Sequence, residues 1–128
     1  MQFGKLSSLL LACAFGLGIS SVHSAEKFPQ RPVRIIVPYA PGGATDITAR
    51  LLQTGISELW GQSVVIDNRA GASGNIALEM AAKAAPDGYT LQVGNVSTNA
   101  INETTFSSLS IKPSRDLTGV TNLIQLPH

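Results

Sequence analysis

The chain has 128 residues, 44% of them hydrophobic and 13% charged, with a net charge of +1 at neutral pH. That length holds one small domain, and a near-zero charge without a basic stripe excludes the electrostatic footprint of a nucleic-acid binder or a protein held on an acidic membrane. One Cys and two His provide no cluster from which a zinc site or a Cys/His catalytic pair could be built.

Residues 1–24 read as a secretory signal peptide. Lys5 supplies a basic start, Leu6 to Ile19 form an apolar stretch rich in Leu, Ala and Gly, and Ser20 to Ala25 give a small-residue exit. The stretch is too short and wrongly flanked for a stable membrane span. Cleavage after Ser24 leaves Val22 at the minus-three position, whereas cleavage one bond later would put the bulkier His23 there. A retained anchor is one alternative. Cys13, preceded by Leu10-Leu11-Ala12, raises lipid attachment as another, although the apolar run continues past it. The exported residues 25–128 would carry no Cys, one His (His128, the last residue) and a net charge of zero. Disulfide and thiolate chemistry are then closed to them.

After a Pro-bounded lead, Lys27 to Pro32, the β-branched run Val33-Arg34-Ile35-Ile36-Val37 is a strand stopped by Pro38, and its near-continuous apolarity suits a parallel sheet covered on both faces. From Thr45 to Trp60, the positions Ile47, Leu51, Leu52, Ile56, Leu59 and Trp60 form a helical stripe. Gly61 is its stop, and Gly55 within it marks a site of close packing. Ser63 to Asp67 repeats the strand signal, the Ala-rich Ile76 to Ala85 is a second helix, and Ala85-Pro86-Asp87-Gly88 is a turn. Tyr89 to Val93 is a third strand. A further strand is expected within Leu117 to Leu126. The β-α-β-α-β pattern with right-handed crossovers gives a parallel α/β sheet.

Three loops follow the strands. Pro41-Gly42-Gly43-Ala44-Thr45-Asp46 and Arg69-Ala70-Gly71-Ala72-Ser73-Gly74-Asn75 each pass from a strand to a helix, where unpaired N–H groups and the helix dipole attract anions. The first lacks both the phosphate-loop and dinucleotide-binding patterns. Asp46 either caps exposed amides or contacts a ligand. Gly43 is the position where a side chain would obstruct a ligand and penalise any positive φ. In the second loop, Ser73 does not complete a nucleophile elbow, because Asn75 stands where Gly is needed. The third loop, Gly94-Asn95-Val96-Ser97-Thr98-Asn99, is either a solvated turn or a neutral, donor-rich wall suited to a carboxylate.

These residues closely resemble a known group. Arg31 to Asp46, Val65 to Ile76 and Pro86 to Leu91 are similar to successive signatures of the Bug, or TctC, family, periplasmic substrate-binding proteins of tripartite tricarboxylate transporters. The resemblance implies an α/β fold, the parallel-sheet lobe of a two-lobed type II periplasmic binding protein, with residues 25–128 forming the N-terminal part of the first lobe and the chain truncated within it. It implies a monomer in the periplasm, without cofactor or enzymatic activity, that binds a small organic acid and hands it to membrane permease subunits. By the same resemblance, the ligand carboxylate is held by Pro41, Gly42, Gly43, Thr45 and Asp46 after the first strand, and by Asn95, Ser97, Thr98 and Asn99 after the third. Two departures stand out. Glu103 follows Ala100-Ile101-Asn102 where the family often has Pro, and Leu117 follows Asp116 where it has Phe.

Two other readings remain open at this point. One is a small secreted hydrolase using Asp46 with a metal or water, and the other is an inactive fragment aggregating through unpaired sheet edges. With one cleft wall only, the exported segment is expected to bind organic acids weakly.

Overall fold

The computed structural model describes residues 27–124, so the signal-peptide reading and Leu126 lie outside the described residues. Strands β1 (Val33–Val37), β2 (Val64–Asn68) and β3 (Thr90–Gln92) form one parallel sheet in the order β2-β1-β3. Ile35 pairs with Ile66 on one side and with Leu91 on the other. The central strand is the middle of the core: Val33, Ile36 and Val37 are fully buried and Ile35 nearly so, with Ala49, Val64, Ala77 and Leu78 packed around them. Each of these β1 side chains contributes about 1.5 to 3 kcal/mol through burial, so β1 anchors the sheet from both faces.

Helix α1 (Ala44–Trp60) links β1 to β2 and α2 (Asn75–Ala82) links β2 to β3. The helix α1 packs on β1 and β2, and α2 packs on β1 and β3. Gly61, in the left-handed region at φ 62°, ends α1 by donating its N–H to Ser57 O at 3.0 Å, as its sequence position leads one to expect. The helical stripe fares differently. Ile47, Leu51 and Leu59 are exposed, because the face turned to the sheet carries Asp46, Ala49, Gln53 and Ser57 instead. The last two act through polar contacts: Gln53 Nε2 donates to Val64 O at 2.8 Å, and Val64 N–H donates to Ser57 Oγ at 3.2 Å. Small and hydrogen-bonding residues let this helix sit close to the edge strand. Gly55 is exposed and a Cβ there would meet nothing within 4 Å, so it marks no close packing.

Beyond β3 the chain enters a π-helical turn (Ser97–Ile101) that runs into α3 (Asn102–Thr105), and α4 (Pro113–Asp116) follows. The strand expected from Leu117 onward is absent among the described residues: 117–124 is irregular and mostly exposed. Its apolar residues instead line a groove beside Leu52, Ile56 and Trp60 of α1 and Leu91 of β3. Glu103, one of the departures noted above, has a structural use. It accepts from Ser114 N–H at 3.2 Å and Ser114 Oγ at 2.9 Å, fastening α4 to α3.

At the amino-terminal edge of the sheet, Phe28 packs against Tyr89 (ring centroids 4.9 Å apart) and edge-on against Trp60 (5.7 Å). Arg31 lies 4.0 Å from the centre of the Tyr89 ring and pairs with Asp87 at 2.8 Å. The Asp87 carboxylate also accepts Tyr89 N–H at 3.0 Å, which shapes the turn before β3. The Pro86 to Leu91 signature is thus a structural knot at the end of the sheet remote from the loops.

Candidate functional site

Parallel strands bring the loops after β1, β2 and β3 to one edge. The neighbours of β1 stay zipped to it up to the loops, with Arg69 N–H on Val37 O at 2.8 Å and Val93 N–H on Ile36 O at 3.0 Å. In the order β2-β1-β3 the crossover direction reverses between β1 and β3. Such a switch point leaves a crevice at the carboxyl ends of the strands, where open α/β folds receive ligands. Of the nine residues singled out above, Pro41, Gly42 and Gly43 lie in the loop after β1 and Thr45 and Asp46 in the first turn of α1, while Asn95 lies in the loop after β3 and Ser97, Thr98 and Asn99 in the helical turn that follows it; Thr45, Asn95 and Asn99 line one groove.

The first loop is shaped from below by Asp46. This carboxylate, 2% exposed, accepts Gly42 N–H at 2.9 Å and Arg50 Nε at 2.9 Å on Oδ2, and Asn68 Nδ2 at 2.9 Å on Oδ1. Asn68 also donates to Tyr39 O at 3.0 Å and accepts from Arg50 Nη2 at 3.2 Å. Asp46 therefore caps the turn, one of the two roles open to it from sequence, and both its oxygens are engaged. The Arg50 guanidinium, with help from Gly42 N–H and Asn68, holds its carboxyl well below the usual carboxylate range.

The positive φ that the sequence reading allowed for at Gly43 falls on Gly42 instead. Gly42 is the residue at positive φ, 89°, while Gly43 has an ordinary extended conformation (φ −78°) and a Cβ there would meet only Ala40 O at 3.8 Å. Gly43 is the N-cap of α1 with no side-chain capping bond, and its own carbonyl accepts the first helical N–H, from Ile47, at 2.9 Å. The N–H groups of Ala44, Thr45 and Asp46 precede that first bond, so they have no helical carbonyl to meet.

The third loop is less of a loop than its composition indicates. Asn95 Oδ1 accepts Thr98 N–H at 3.1 Å, and Thr98 Oγ1 accepts Asn95 N–H at 3.0 Å. This reciprocal pair has the form of a capping box with Asn95 as the cap, and the helical turn runs on from Val96. The Asn-x-x-Thr spacing could have revealed it from sequence. Thr98 is fully buried, while Asn95, Ser97 and Asn99 are exposed. Asn95 Nδ2 reaches across to Tyr39 Oη at 2.8 Å, a direct tie between the first and third loops.

The second loop underpins both. Gly71, Ala72, Ser73 and Gly74 all have positive φ, from 46° to 126°. For Ala72 and Ser73 that conformation costs about 1 to 2 kcal/mol each. Asn102 offsets this from α3, donating to Ser73 O at 2.9 Å and Asn75 Oδ1 at 2.6 Å. A Cβ on Gly74 would lie 2.7 Å from Thr98 Cγ2 and 3.1 Å from Pro38 Cβ, so all three loops meet at this glycine. No group of three or more His, Cys, Asp or Glu side chains suited to a metal occurs among the described residues. Nor does any described helix have the length and apolarity to cross a membrane.

A parallel α/β sheet with its loops gathered at a switch point is an architecture that many small-molecule-binding α/β folds share. Comparison with known proteins sharpens this. The profile of the tripartite tricarboxylate transporter family receptor, TctC, matches residues 48–128, and the chain belongs to that family. Protein BugT of Bordetella pertussis is 40% identical over 111 residues, covering 86% of this chain and 34% of BugT. A UPF0065 protein from the gbd 5' region of Cupriavidus necator is 36% identical over 117 residues, covering 89% and 35%. Among solved structures, MatC from Rhodopseudomonas palustris with bound malate superposes with a TM-score of 0.66 at 42% identity, over 70% of this chain and 30% of MatC. A second R. palustris protein, solved with adipate, gives 0.65 at 44% identity, over 68% of this chain and 29% of that one. The chain spans about a third of the length of the curated relatives it matches.

Proposed function

We propose that residues 25–128 are the N-terminal part of an exported, periplasmic receptor that captures a small organic acid by its carboxylate. The receptor passes its ligand to the membrane permease subunits of a tripartite tricarboxylate-type transporter, as a monomer that binds without performing chemistry. The observation that carries this reading is the crevice between the loops after β1 and β3, tied by the 2.8 Å bond from Asn95 to Tyr39. One side of the groove carries Ala44 and Thr45, whose N–H groups open α1, and the other the exposed Asn95 and Asn99, with Ser97 exposed beside them in the chain. Pro41 and Gly42 form the turn that leads into α1. Asp46 and Thr98 serve the site from beneath by holding these walls in shape. Donors without a full cation suit a receptor that must release its ligand, because an ion pair buried with it would bring a desolvation cost. The malate and adipate in the two R. palustris structures give the same ligand class.

The hydrolase alternative loses support because both Asp46 oxygens are already hydrogen-bonded. An NMR titration of the chain with malate, adipate and a neutral diamide tests the reading. Saturable shifts at the Gly43, Thr45, Asn95 and Ser97 amides with the acids, and none with the diamide, are expected. Shifts confined to other parts of the sheet would overturn it.

A further inference from the structure

We propose that Tyr39 is a ligand-contacting residue of this site, giving its phenolic O–H to the ligand carboxylate, and that Asn95 is the positioning residue that aims it. The inference rests on the functional reading above and adds a residue outside the set drawn from the loops' sequence.

Thr98 N–H lies 3.1 Å from one end of the Asn95 amide, and an N–H group can meet only an acceptor there. That end is therefore the oxygen, and the other, 2.8 Å from Tyr39 Oη, is the nitrogen. An amide nitrogen donates and does not accept. The Tyr39 oxygen must accept, and its own proton must go elsewhere. Among the described residues, Tyr39 makes its side-chain bond to Asn95 and a backbone bond to Asn68, neither of which takes that proton. The capping box thus fixes the amide, the amide fixes the phenol, and a donor is left over at the switch point. A hydrogen bond received on its oxygen also polarises the phenol, which strengthens its O–H as a donor. Tyr39 is half-buried, and its phenol is held against Asn95, which lines the same groove as Ala44 and Thr45 at the start of α1.

The test is titration of the chain with malate and with adipate, followed by NMR, for the unvaried chain, Tyr39→Phe, Tyr89→Phe and a chain with fluorinated tyrosine at position 39. Tyr39→Phe should weaken binding by about tenfold or more, the loss expected for one hydrogen bond to a charged group. Tyr89→Phe, at the far edge of the sheet, should bind like the unvaried chain. The fluorinated residue, a stronger donor studied at a pH where it keeps its proton, should bind more tightly, which a purely structural role for Tyr39 would not produce. This arm decides the matter if Tyr39→Phe proves unfolded by circular dichroism. An unvaried chain that binds while neither change at position 39 alters its affinity overturns this inference alone. A chain that binds neither acid overturns the functional reading and this inference with it.

Discussion

Gly42 donates its N–H to Asp46 Oδ2 at 2.9 Å, so the glycine that bends the first loop is held by a carboxylate one helical turn further along. Asp46 is the third residue of α1, a position from which an acidic side chain commonly reaches back to the chain before the helix and favours the helix dipole. Replacing it strands three donors at once, Gly42 N–H, Asn68 Nδ2 and Arg50 Nε. Asp46→Ala should lower the melting temperature by roughly 5 °C or more and reduce carboxylate binding. Asp46→Asn, which keeps one acceptor oxygen, should lose less of both; calorimetric melting and NMR titration measure the two effects.

Acid should unmake the same clamp. The Asp46 carboxyl lies below its unfolded value of 3.8 because Arg50, Gly42 and Asn68 favour its charged form. A depressed folded-state value means that this stabilisation is complete above about pH 4 and is lost as the pH falls through the folded value. Asp116, drawn down to about 2 chiefly by Arg115 and also by Lys112 N–H, acts in the same direction. Melting temperature should therefore fall between pH 4 and pH 2. In the Asp46→Asn chain that fall should be shallower, and an unchanged slope would remove Asp46 from the account.

The two glycines of the first loop should respond unequally to a methyl group. Gly42→Ala must hold φ 89°, at a cost of about 1 to 2 kcal/mol, although its Cβ would touch nothing. Gly43→Ala keeps an ordinary φ and an ordinary contact, so its cost should be the smaller, about 0.5 kcal/mol from the poorer N-cap that Ala makes. Urea unfolding of both variants distinguishes them. Greater damage from Gly43→Ala would contradict the loop geometry.

Gly74→Ala should be worse than either. It combines a φ of 88° with a Cβ pressed against Thr98 Cγ2 and Pro38 Cβ, neither of which lies at the end of a flexible side chain. Overpacking and backbone strain together predict a loss of about 2 to 4 kcal/mol by urea unfolding. Asn102→Ala, which frees Ser73 O and Asn75 Oδ1, should be milder and should not add fully to Gly74→Ala, because both act on the second loop.

Much of this arrangement is legible in the sequence. Alternating β-branched runs and helical segments give the parallel sheet, and parallel strands force their following loops to one edge. Sequence falls short where tertiary packing chooses among residues of similar character. The contact face of α1 runs through Ala49, Gln53 and Ser57, because a close approach to β2 rewards small side chains and backbone hydrogen bonds, whereas the conspicuous stripe of Ile47, Leu51 and Leu59 faces outward. The strand expected after Leu117 had apolar residues but no partner strand among the described residues to pair with. Which of two adjacent glycines takes the left-handed conformation depends on where Asp46 reaches, and that is a three-dimensional fact. The roles of Asn68 and Tyr39 are hidden from sequence for a related reason: their partners lie 22 and 56 positions away in the chain.

The aromatic knot of Phe28, Trp60 and Tyr89 provides an optical separation between folding and occupancy. The chain has one tryptophan, and it sits where α1 ends, at the edge of the sheet remote from the three loops. Its emission should shift to the red as the knot opens in urea, yet stay nearly constant as a carboxylate fills the crevice. Fluorescence on this molecule is thus a gauge of the scaffold, and a variant's loss of affinity can be read against an internal signal of whether the scaffold is still there.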